Sequence, residues 1–442
     1  MPVLGEHAVV LGAGMAGLFT ARALAESYET VTVVERDRPA APAERRRGVP
    51  QGEHAHLLLT RGKQLMERMF PGLTDELIED GAVSMPALER FRSQVAGREV
   101  RRGHVGEFVS MTRPFLEGHV RRRMEARGGV TFLDGHAAVG LTFHGGRVTG
   151  ARVNGGEGER ILDADLVVDA MGRGARSPAW LAELGFPAPP ADELHVDVGY
   201  SSRLVGAPDD ALGGDKGMLI GPRPDLSRGM ALFKVEGDAR WLLTLVGYAG
   251  HPPTDEEGFM EFARTVAPDE TFAMLKDSEP LSEIRRFRFP TSRRRRYEKL
   301  RSFPQGLLVA GDAVCSFNPI YGQGMSVAAL QAGALRRTLM DGDHDLARRY
   351  FRAVARVVAP VWRLAVQADL AIPEIQAPRP LSFRVTDAYV KRVQRAVSLD
   401  EAAASRFFRV TSLVEPPGGL LRPSMAWRAL RPRRSDGKAA RP

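Results

Sequence analysis

The sequence predicts an α/β protein with three parts: a parallel-sheet domain, an antiparallel sheet inserted into it, and a helical C-terminal region. Two Val-rich strands, "HAVVL" (7–11) and "VTVVE" (31–35), flank an Ala- and Leu-rich helix at 15–26, which makes a βαβ unit. Residues 193–249 alternate between apolar and polar, which indicates an antiparallel sheet with one packed face. Residues 344–412 have helical character.

The boundaries of these parts follow from shifts in composition and in the hydrophobic period. We predict a discontinuous first domain (residues 1–85, 105–188 and 285–343), a second domain (86–104 and 189–284), a helical region (344–430) and a disordered tail (431–442). The first domain contains a Pro/Arg/Gly-rich loop at 37–60, and loops of that length are usually functional or disordered.

Composition narrows the class of protein. The 442 residues carry a formal net charge of +8, but the basic residues are scattered, so we expect no nucleic-acid partner. No apolar run reaches the length of a membrane span and the N-terminus does not resemble a signal peptide, so we expect no integral membrane contact. The one cysteine, Cys315, excludes an internal disulfide framework and favours a cytoplasmic location.

The first motif, "GAGMAG", lies between the first strand and its helix. Gly12 permits a tight turn, Gly14 lets a pyrophosphate approach the backbone, and Gly17 lets the helix pack closely on the strand. Glu35 ends the second strand, where an acid accepts hydrogen bonds from ribose hydroxyls. The motif predicts a dinucleotide cofactor, without separating FAD from NAD.

A second glycine-rich stretch, "GDAVCSFNPIYGQG" (311–324), points to FAD. It follows the strand "GLLVA", and Asp312 at the end of that strand is suited to accept hydrogen bonds from a ribityl chain. A helix begins near Gly324, and its N-terminal amides suit the edge of a flavin that gains negative charge on reduction. The predicted amides are those of Gly322, Gln323, Gly324 and Met325.

These stretches resemble the flavin-dependent monooxygenases of the p-hydroxybenzoate hydroxylase superfamily. Three further segments, "RRGVPQGEHAH" (46–56), "MTRPFLEGHVR" (111–121) and "VVDAMGRGARSPAWLAELG" (167–185), look most like bacterial polyether epoxidases of the lasalocid and monensin type. The resemblance covers about residues 1–340. It implies a Rossmann-like FAD-binding domain (GR2-type flavoprotein) with an inserted substrate-binding domain.

The resemblance also implies roles for residues that match the family's motifs. Gly12, Gly14, Gly17, Glu35 and Arg36 would bind the ADP portion of FAD, and Arg113 would contact the pyrophosphate–ribityl region. Arg46, Val49 and Gln51 would lie beside the flavin, Asp312 would take the ribityl chain, and Pro319, Gly322, Gly324 and Met325 would frame the isoalloxazine. No catalytic side chain is implied, because the C4a-hydroperoxyflavin carries the chemistry.

The implied function is oxygen transfer to an alkene of a lipophilic substrate, polyketide- or terpene-like, in specialised metabolism such as antibiotic biosynthesis, with O₂ as the oxidant. Aromatic hydroxylation is the main alternative, favoured if a positioned base activates a phenol. Two further functions are also consistent with the sequence: a flavin-dependent double-bond reductase and a non-catalytic basic binding module. Related hydroxylases carry Asp-Gly where this chain has Met171-Gly172, so NAD(P)H is expected to act through a separate flavin reductase.

Other residues have ordinary explanations beside functional ones. His54 and His56 form an H-x-H pair, for which loop hydrogen bonding is favoured over a metal site. Cys315 is expected to be a buried small residue, and Asp169 a turn acid and not a catalytic base. Four aromatic residues of the alternating segments are as consistent with sheet core as with a pocket: Tyr200, Phe233, Trp241 and Tyr248.

Overall fold

The computed structural model describes residues 2–38 and 50–431, except the side chains of residues 50 and 51. Within them the chain forms twenty strands and twelve α-helices. The strands are β1 (Gly5–Leu11), β2 (Tyr28–Glu35), β3 (Leu57–Leu58), β4 (Val83–Pro86), β5 (Phe91–Val95), β6 (Arg98–Glu99), β7 (Glu107–Ser110), β8 (Val130–Asp134), β9 (Ala137–His144), β10 (Arg147–Gly155), β11 (Gly158–Asp163), β12 (Leu166–Asp169), β13 (Ala191–Gly206), β14 (Gly217–Ile220), β15 (Arg228–Lys234), β16 (Arg240–Tyr248), β17 (Glu279–Pro280), β18 (Arg285–Arg295), β19 (Leu307–Val309) and β20 (Cys315–Ser316). The helices are α1 (Met15–Leu24), α2 (Thr60–Met69), α3 (Leu73–Glu79), α4 (Arg113–Glu125), α5 (Ser177–Glu183), α6 (Glu256–Arg264), α7 (Asp269–Asp277), α8 (Gly324–Met340), α9 (Leu346–Asp369), α10 (Leu381–Val397), α11 (Glu401–Thr411) and α12 (Pro423–Leu430).

A five-stranded parallel sheet forms the centre of the first part, in the order β19-β12-β1-β2-β8. Its strands are buried on both faces, because helices such as α1 and the antiparallel sheet that contains β10 pack against it. Leu11 lies opposite Asp169, and Asp169 lies opposite Val309. The carboxyl ends of three strands, which are far apart in sequence, therefore meet at one edge of the sheet.

Helices α1 and α8 pack against each other beside this sheet. The contact between α1 and the turn before it is close, since a Cβ on Gly17 would lie 1.8 Å from the carbonyl oxygen of Gly12. Glycine is therefore required at position 17 for the helix to approach the turn. This packing directs the N-terminal ends of both helices to the region where the strands end.

The second part is a largely antiparallel sheet. Its strands follow the order β20-β18-β13-β16-β15-β14-β5-β6, with β17 pairing beside β13; only β14 and β5 run parallel. One face packs on α6 and α7 through residues such as Leu243 and Phe259. The other face, which includes Tyr200 and Phe289, packs on Ile320 and on the chain that follows α9.

Two smaller three-stranded sheets, β11-β10-β9 and β3-β7-β4, complete the strand pairing of the described residues. The C-terminal helices do not form a separate layer of their own. Helix α9 packs on α8, whereas α10 and α11 share a core with Phe91 and Phe108. The helical region thus touches both the parallel-sheet part and the large antiparallel sheet.

The predicted fold class is confirmed, with a parallel-sheet part, antiparallel sheets and C-terminal helices. The domain boundaries remain predictions, and the tail at 431–442 lies almost wholly outside the described residues. In the part of the chain that is described, no helix is both long and apolar enough to cross a membrane.

Candidate functional site

Three loops meet at the carboxyl edge of the parallel sheet. They follow β1, β12 and β19, and backbone hydrogen bonds of 2.9 Å join them, from Ala170 N to Leu11 O and from Ala310 N to Asp169 O. A Cβ on Gly172 would lie 4.0 Å from the Cβ of Asp312. The structure therefore brings together the two glycine-rich motifs and the segment 167–185 that lies between them in the sequence, which we call the middle motif, as ligand sites of open α/β sheets require.

The turn after β1 combines tight packing with one open position. Gly12 has a φ of +100°, and a Cβ there would meet the carbonyl oxygen of Ala170 at 2.9 Å. A Cβ on Gly14 would have no atom within 4 Å. Protein packing therefore does not demand glycine at position 14, whereas close approach of a phosphate to the backbone does.

Glu35 lies at the end of β2, beside this turn. It is 8% exposed, and its carboxylate accepts hydrogen bonds from the amides of Ala13 at 2.9 Å and Asp37 at 3.0 Å. Arg36 is exposed and lies 3.7 Å from the Asp37 carboxylate. Both residues stand where the sequence placed them, at the strand end next to the glycine-rich turn.

Asp312 is half-buried in the turn after β19. Among the described residues its carboxylate has no hydrogen-bond or ion-pair partner, and only the charges of Arg113 and Arg173 act on it. Burial raises its pKa, and the positive charges of Arg113 and Arg173 oppose that rise. Because an unpaired carboxylate is costly to bury, the site fits a ligand that donates hydrogen bonds, such as a polyol chain.

Arg113 is the first residue of α4 and pairs with Glu117 at 2.6 Å. Arg173 belongs to the middle motif, and its guanidinium lies 4.3 Å from the centre of the Phe289 ring. Both arginines thus lie close enough to Asp312 to affect its ionisation. The sequence pointed to Arg113 but not to Arg173.

The second glycine-rich stretch, residues 311–324, is called the late corner below; it contains a 3₁₀ turn, Pro319–Tyr321, and leads into α8. The Gly322 amide donates to the Pro319 carbonyl at 2.9 Å, so the expectation that it points to a ligand is wrong. Gln323, Gly324 and Met325 have no backbone acceptor for their amides among the described residues. A Cβ on Gly324 would have no atom within 4 Å, so this helix N-terminus is open.

Three sequence-predicted residues come from the loop before α2. Arg46 and Val49 lie outside the described residues, and of Gln51 only the backbone is described, in the 3₁₀ turn Pro50–Glu53. Their suggested place beside a flavin therefore remains a prediction.

His54 follows that turn and packs against the second sheet. Its ring lies 5.9 Å from that of Tyr200 and 5.6 Å from that of Phe287, measured between centroids. Its Nδ1 is 2.7 Å from the Ser202 hydroxyl, which is 2.6 Å from that of Thr244. Burial lowers the pKa of His54 to about 3, so the ring is neutral.

The direction of these hydrogen bonds assigns the tautomer of His54. The Thr244 oxygen accepts from the Ala55 amide at 2.8 Å, so the Thr244 hydroxyl is free to donate to Ser202, which then donates to Nδ1. The reverse direction leaves the Thr244 proton without an acceptor as well as leaving Nε2 unpaired. The distances allow both directions, and the first leaves fewer polar groups unpaired, which favours a ring proton on Nε2; that atom is buried and has no partner among the described residues.

A second polar group, the carboxyl of Asp369, lies beyond the hydroxyl of Tyr200. The Tyr200 hydroxyl donates to Asn318 Oδ1 at 2.5 Å. Asn318 Nδ2 donates to Asp369 Oδ1 at 2.9 Å, and the phenols of Tyr248 and Tyr321 donate to the same oxygen at 3.0 and 2.6 Å. Burial raises the pKa of Asp369 to about 6.

Other residues take the ordinary roles that were favoured for them. Asp169 is fully buried and accepts from the Met171 amide at 3.1 Å and the Ser177 amide at 3.0 Å, so it orders the middle motif. Cys315 is buried, and burial raises the pKa of its thiol. Among the described residues no group of three or more His, Cys, Asp and Glu could hold a metal ion.

The four aromatic residues divide into two groups. Phe233 and Trp241 belong to cores away from the corner, whereas Tyr200 and Tyr248 face it and hydrogen bond there. Sequence reasoning missed this division and also missed Asn318, Tyr321 and Asp369. Asn318 and Tyr321 lie in the glycine-rich stretch 311–324, where two polar side chains next to the glycines could have indicated a polar site. Nothing in the sequence around Asp369 indicates its role.

Comparisons with known proteins agree with this geometry. A family model described as an FAD binding domain matches residues 6–343. Protein Rv3254 of Mycobacterium tuberculosis is 36% identical over 435 residues, covering 93% of this chain and 90% of that protein. The 6-methylpretetramide 4-monooxygenase of Streptomyces rimosus is 26% identical over 385 residues, 84% of each chain.

Solved structures show the same fold. The p-nitrophenol 4-monooxygenase of Pseudomonas putida DLL-E4 has a TM-score of 0.66 at 15% identity, covering 94% of this chain and 100% of that one. Flavin-dependent halogenases also share the fold at 14–16% identity. The fold alone therefore does not select the reaction.

Proposed function

This chain belongs to the FAD-binding family of p-hydroxybenzoate hydroxylase-type flavin monooxygenases, and from that premise we propose that it epoxidises an alkene of a lipophilic substrate. One atom of O₂ enters the substrate and the other leaves as water, with two electrons and two protons consumed. The relation to polyether epoxidases, the place in specialised metabolism and the cytoplasmic location belong to this proposal.

The residues present fit FAD. The ADP half would lie at Gly12, Gly14 and Glu35, and the ribityl chain at Asp312, whose carboxylate lacks a partner among the described residues. The isoalloxazine would lie against the open N-terminus of α8 at Gly324. FAD, when bound, supplies the redox chemistry that activates O₂. The protein's own tasks are to orient the alkene and to exclude water.

The observation that carries the choice of substrate is a neutral aromatic cluster beside the corner. Phe287 and Tyr200 flank His54, whose lowered pKa keeps it uncharged, and Tyr200 reaches the corner through its hydrogen bond to Asn318. A surface of this kind favours a neutral, apolar substrate over an anionic one. An alkene of a terpene or polyketide has that character.

Aromatic hydroxylation is the second candidate, because one observation favours it. Asp369 is a buried carboxyl with one unpartnered oxygen among the described residues, and the phenols of Tyr248 and Tyr321 donate to its other oxygen. A carboxyl with a raised pKa is suited to take up the proton of a phenol, here by relay through the hydroxyl of Tyr321 because Asp369 itself is fully buried. One monooxygenase that shares this fold, the p-nitrophenol 4-monooxygenase, is named for a phenol.

The residue at position 171 bears on how electrons from NAD(P)H reach the flavin. Met171 stands where related hydroxylases have an acid, and its amide is bound to Asp169. We propose that NAD(P)H reduces the flavin through a separate reductase. Direct addition of NADPH should then reduce the bound FAD slowly, with or without substrate, whereas an added flavin reductase should restore turnover. Fast, phenol-dependent reduction by NADPH alone would favour the hydroxylase.

The decisive experiment is anaerobic reduction of the FAD-loaded protein, followed by ¹⁸O₂ and one of two probe panels. The alkene panel is geraniol, farnesol and squalene; the phenol panel is 4-nitrophenol and 4-hydroxybenzoate. We expect an epoxide with one ¹⁸O atom from the alkene panel. A labelled catechol or quinol would support hydroxylation, and an oxygenated product without ¹⁸O, its oxygen taken from water, would contradict both. Asp312→Ala serves as the flavin-free control, and Asp210→Asn, an exposed acid, as the matched unaffected one.

A further inference from the structure

Asp369 is the last residue of α9 and lies beyond residues 6–343, which the family model matches. It is fully buried, and one of its oxygens, Oδ1, accepts three hydrogen bonds. The donors are Tyr248 at 3.0 Å, Asn318 at 2.9 Å and Tyr321 at 2.6 Å. One oxygen atom of the C-terminal region, Asp369 Oδ1, thus accepts hydrogen bonds from three residues that lie earlier in the chain.

The three donors belong to different elements. Tyr248 ends strand β16 of the large sheet, Asn318 precedes the 3₁₀ turn of the late corner, and Tyr321 ends that turn. Tyr200 on β13 joins the cluster through Asn318. The cluster therefore connects α9, the substrate-facing sheet and the corner that would frame the flavin.

The corner depends on this cluster for its shape. Asn318 Oδ1 accepts from the Ile320 amide at 3.3 Å, and its Nδ2 donates to Asp369, so both ends of its amide are held. The phenol of Tyr321 is held by the same carboxyl. Gly322 and the first turn of α8 follow directly. Moving Asp369 would therefore move the residues immediately before the open helix N-terminus.

We propose that Asp369 is a positioning residue through which the C-terminal helices fix the flavin corner. This proposal rests on the proposed function, since it takes the late corner to hold the isoalloxazine. It assigns a role in the active site to a region outside the matched family domain. The side chain acts through Asn318 and Tyr321 and not by contact with the reacting atoms.

The environment of Asp369 makes its charge sensitive to pH. The groups that face it are the phenols of Tyr248 and Tyr321 and the amide of Asn318, and no cation among the described residues pairs with it. The nearby guanidinium of Arg379 donates instead to three backbone carbonyls, those of Leu370, Ile372 and Ile375. Burial raises the pKa to about 6, so the corner should differ between pH 5 and pH 7.

The test uses the full-length protein and FAD alone. We would measure the FAD dissociation constant and the visible circular dichroism of bound flavin from pH 5 to pH 8. In the native protein the flavin signal should change with a midpoint near pH 6. Asp369→Asn should abolish that change and weaken FAD binding by about 2- to 10-fold, the scale of one lost hydrogen bond.

Tyr321→Phe gives a second measurement if Asp369→Asn folds poorly. It should also weaken FAD binding and shift the midpoint, because it removes one donor to Oδ1. Tyr350→Phe is the matched control, a buried phenol on the same helix α9, and should change neither quantity. If Asp369→Asn and Tyr321→Phe bind FAD with the native constant and pH profile, the proposal is wrong. If the native protein binds no FAD, the proposed function fails instead.

Discussion

The carboxylate of Glu35 accepts a hydrogen bond from the backbone amide of Ala13 at 2.9 Å. This contact ties the end of β2 to the glycine-rich turn after β1. Glu35 therefore has two tasks if the turn holds the ADP half of FAD, since it shapes the turn and offers oxygens to the ribose. One side chain therefore joins two parts of the motif, the glycine-rich turn and the acid at the end of β2, that are 22 positions apart in the sequence.

Replacing Glu35 with Ala should lower FAD affinity by about 1–3 kcal/mol, the scale of losing charge-assisted hydrogen bonds. Isothermal titration calorimetry of the FAD-free protein measures this directly. Glu35→Gln keeps an acceptor for the Ala13 amide and should lose less. Glu29→Ala, an exposed acid on the same strand, should bind FAD normally. An unchanged affinity in Glu35→Ala would remove this residue from the site.

Asp312→Ala should lose FAD while keeping its fold. The Asp312 carboxylate is half-buried without a hydrogen-bond partner among the described residues, and burial raises its pKa. Removing it relieves the cost of that burial, so the FAD-free variant should unfold at or above the native temperature at pH 8. Differential scanning calorimetry and the flavin-to-protein absorbance ratio check both parts. A variant that is much less stable yet retains FAD would contradict the assignment.

Gly324→Val and Gly17→Val should fail for different reasons. A Cβ at position 324 meets nothing within 4 Å, so this variant should fold and yet exclude the flavin. A Cβ at position 17 would lie 1.8 Å from the Gly12 carbonyl oxygen, so this variant should misfold whether or not FAD is added. Circular dichroism together with flavin content separates the two outcomes. If Gly324→Val purifies with full FAD, the isoalloxazine lies elsewhere.

Ionisation of the buried Asp369 should make the folded protein less stable as the pH rises. Its pKa is about 6 in the folded protein and 3.8 ordinarily, so the folded state binds the extra proton between these values. The free energy of unfolding should therefore fall by about 2 kcal/mol from pH 4 to pH 6 because of this group, and become level only above about pH 7. Urea unfolding of the native protein and Asp369→Asn gives the difference. A difference that does not vary with pH would contradict the assignment.

The sequence predicted the fold class well because its signals are local. The spacing of Gly12, Gly14 and Gly17 between a strand and a helix depends on only a few neighbouring residues, and the parallel sheet follows from it. Contacts between residues that are far apart in the sequence leave no comparable local pattern. Asp369 is separated from Asn318 by 51 positions and from Tyr248 by 121, and only folding shows that one carboxyl receives both.

His54 shows the same limit at a single residue. The H-x-H pattern suggested a possible metal site, but the ring of His54 is hydrogen bonded to Ser202, which lies 148 positions away in the sequence. Its partner His56 has Nδ1 at 2.7 Å from the His54 carbonyl oxygen instead of facing a shared ion. The burial that makes His54 neutral comes from the second sheet, which no local pattern reports.

The tautomer of His54 can be measured by ¹⁵N NMR of the full-length protein. Because burial lowers its pKa to about 3, its ring should stay neutral from pH 8 to pH 5, with the proton on Nε2. Ser202→Ala removes the donor to Nδ1 and should mix the two tautomers. Ser201→Ala is the matched control, since its hydroxyl donates to the Pro252 carbonyl at 2.8 Å instead. A proton on Nδ1 in the native protein, or titration between pH 8 and pH 5, would show that the hydroxyl chain runs in the opposite direction or that the ring is not buried.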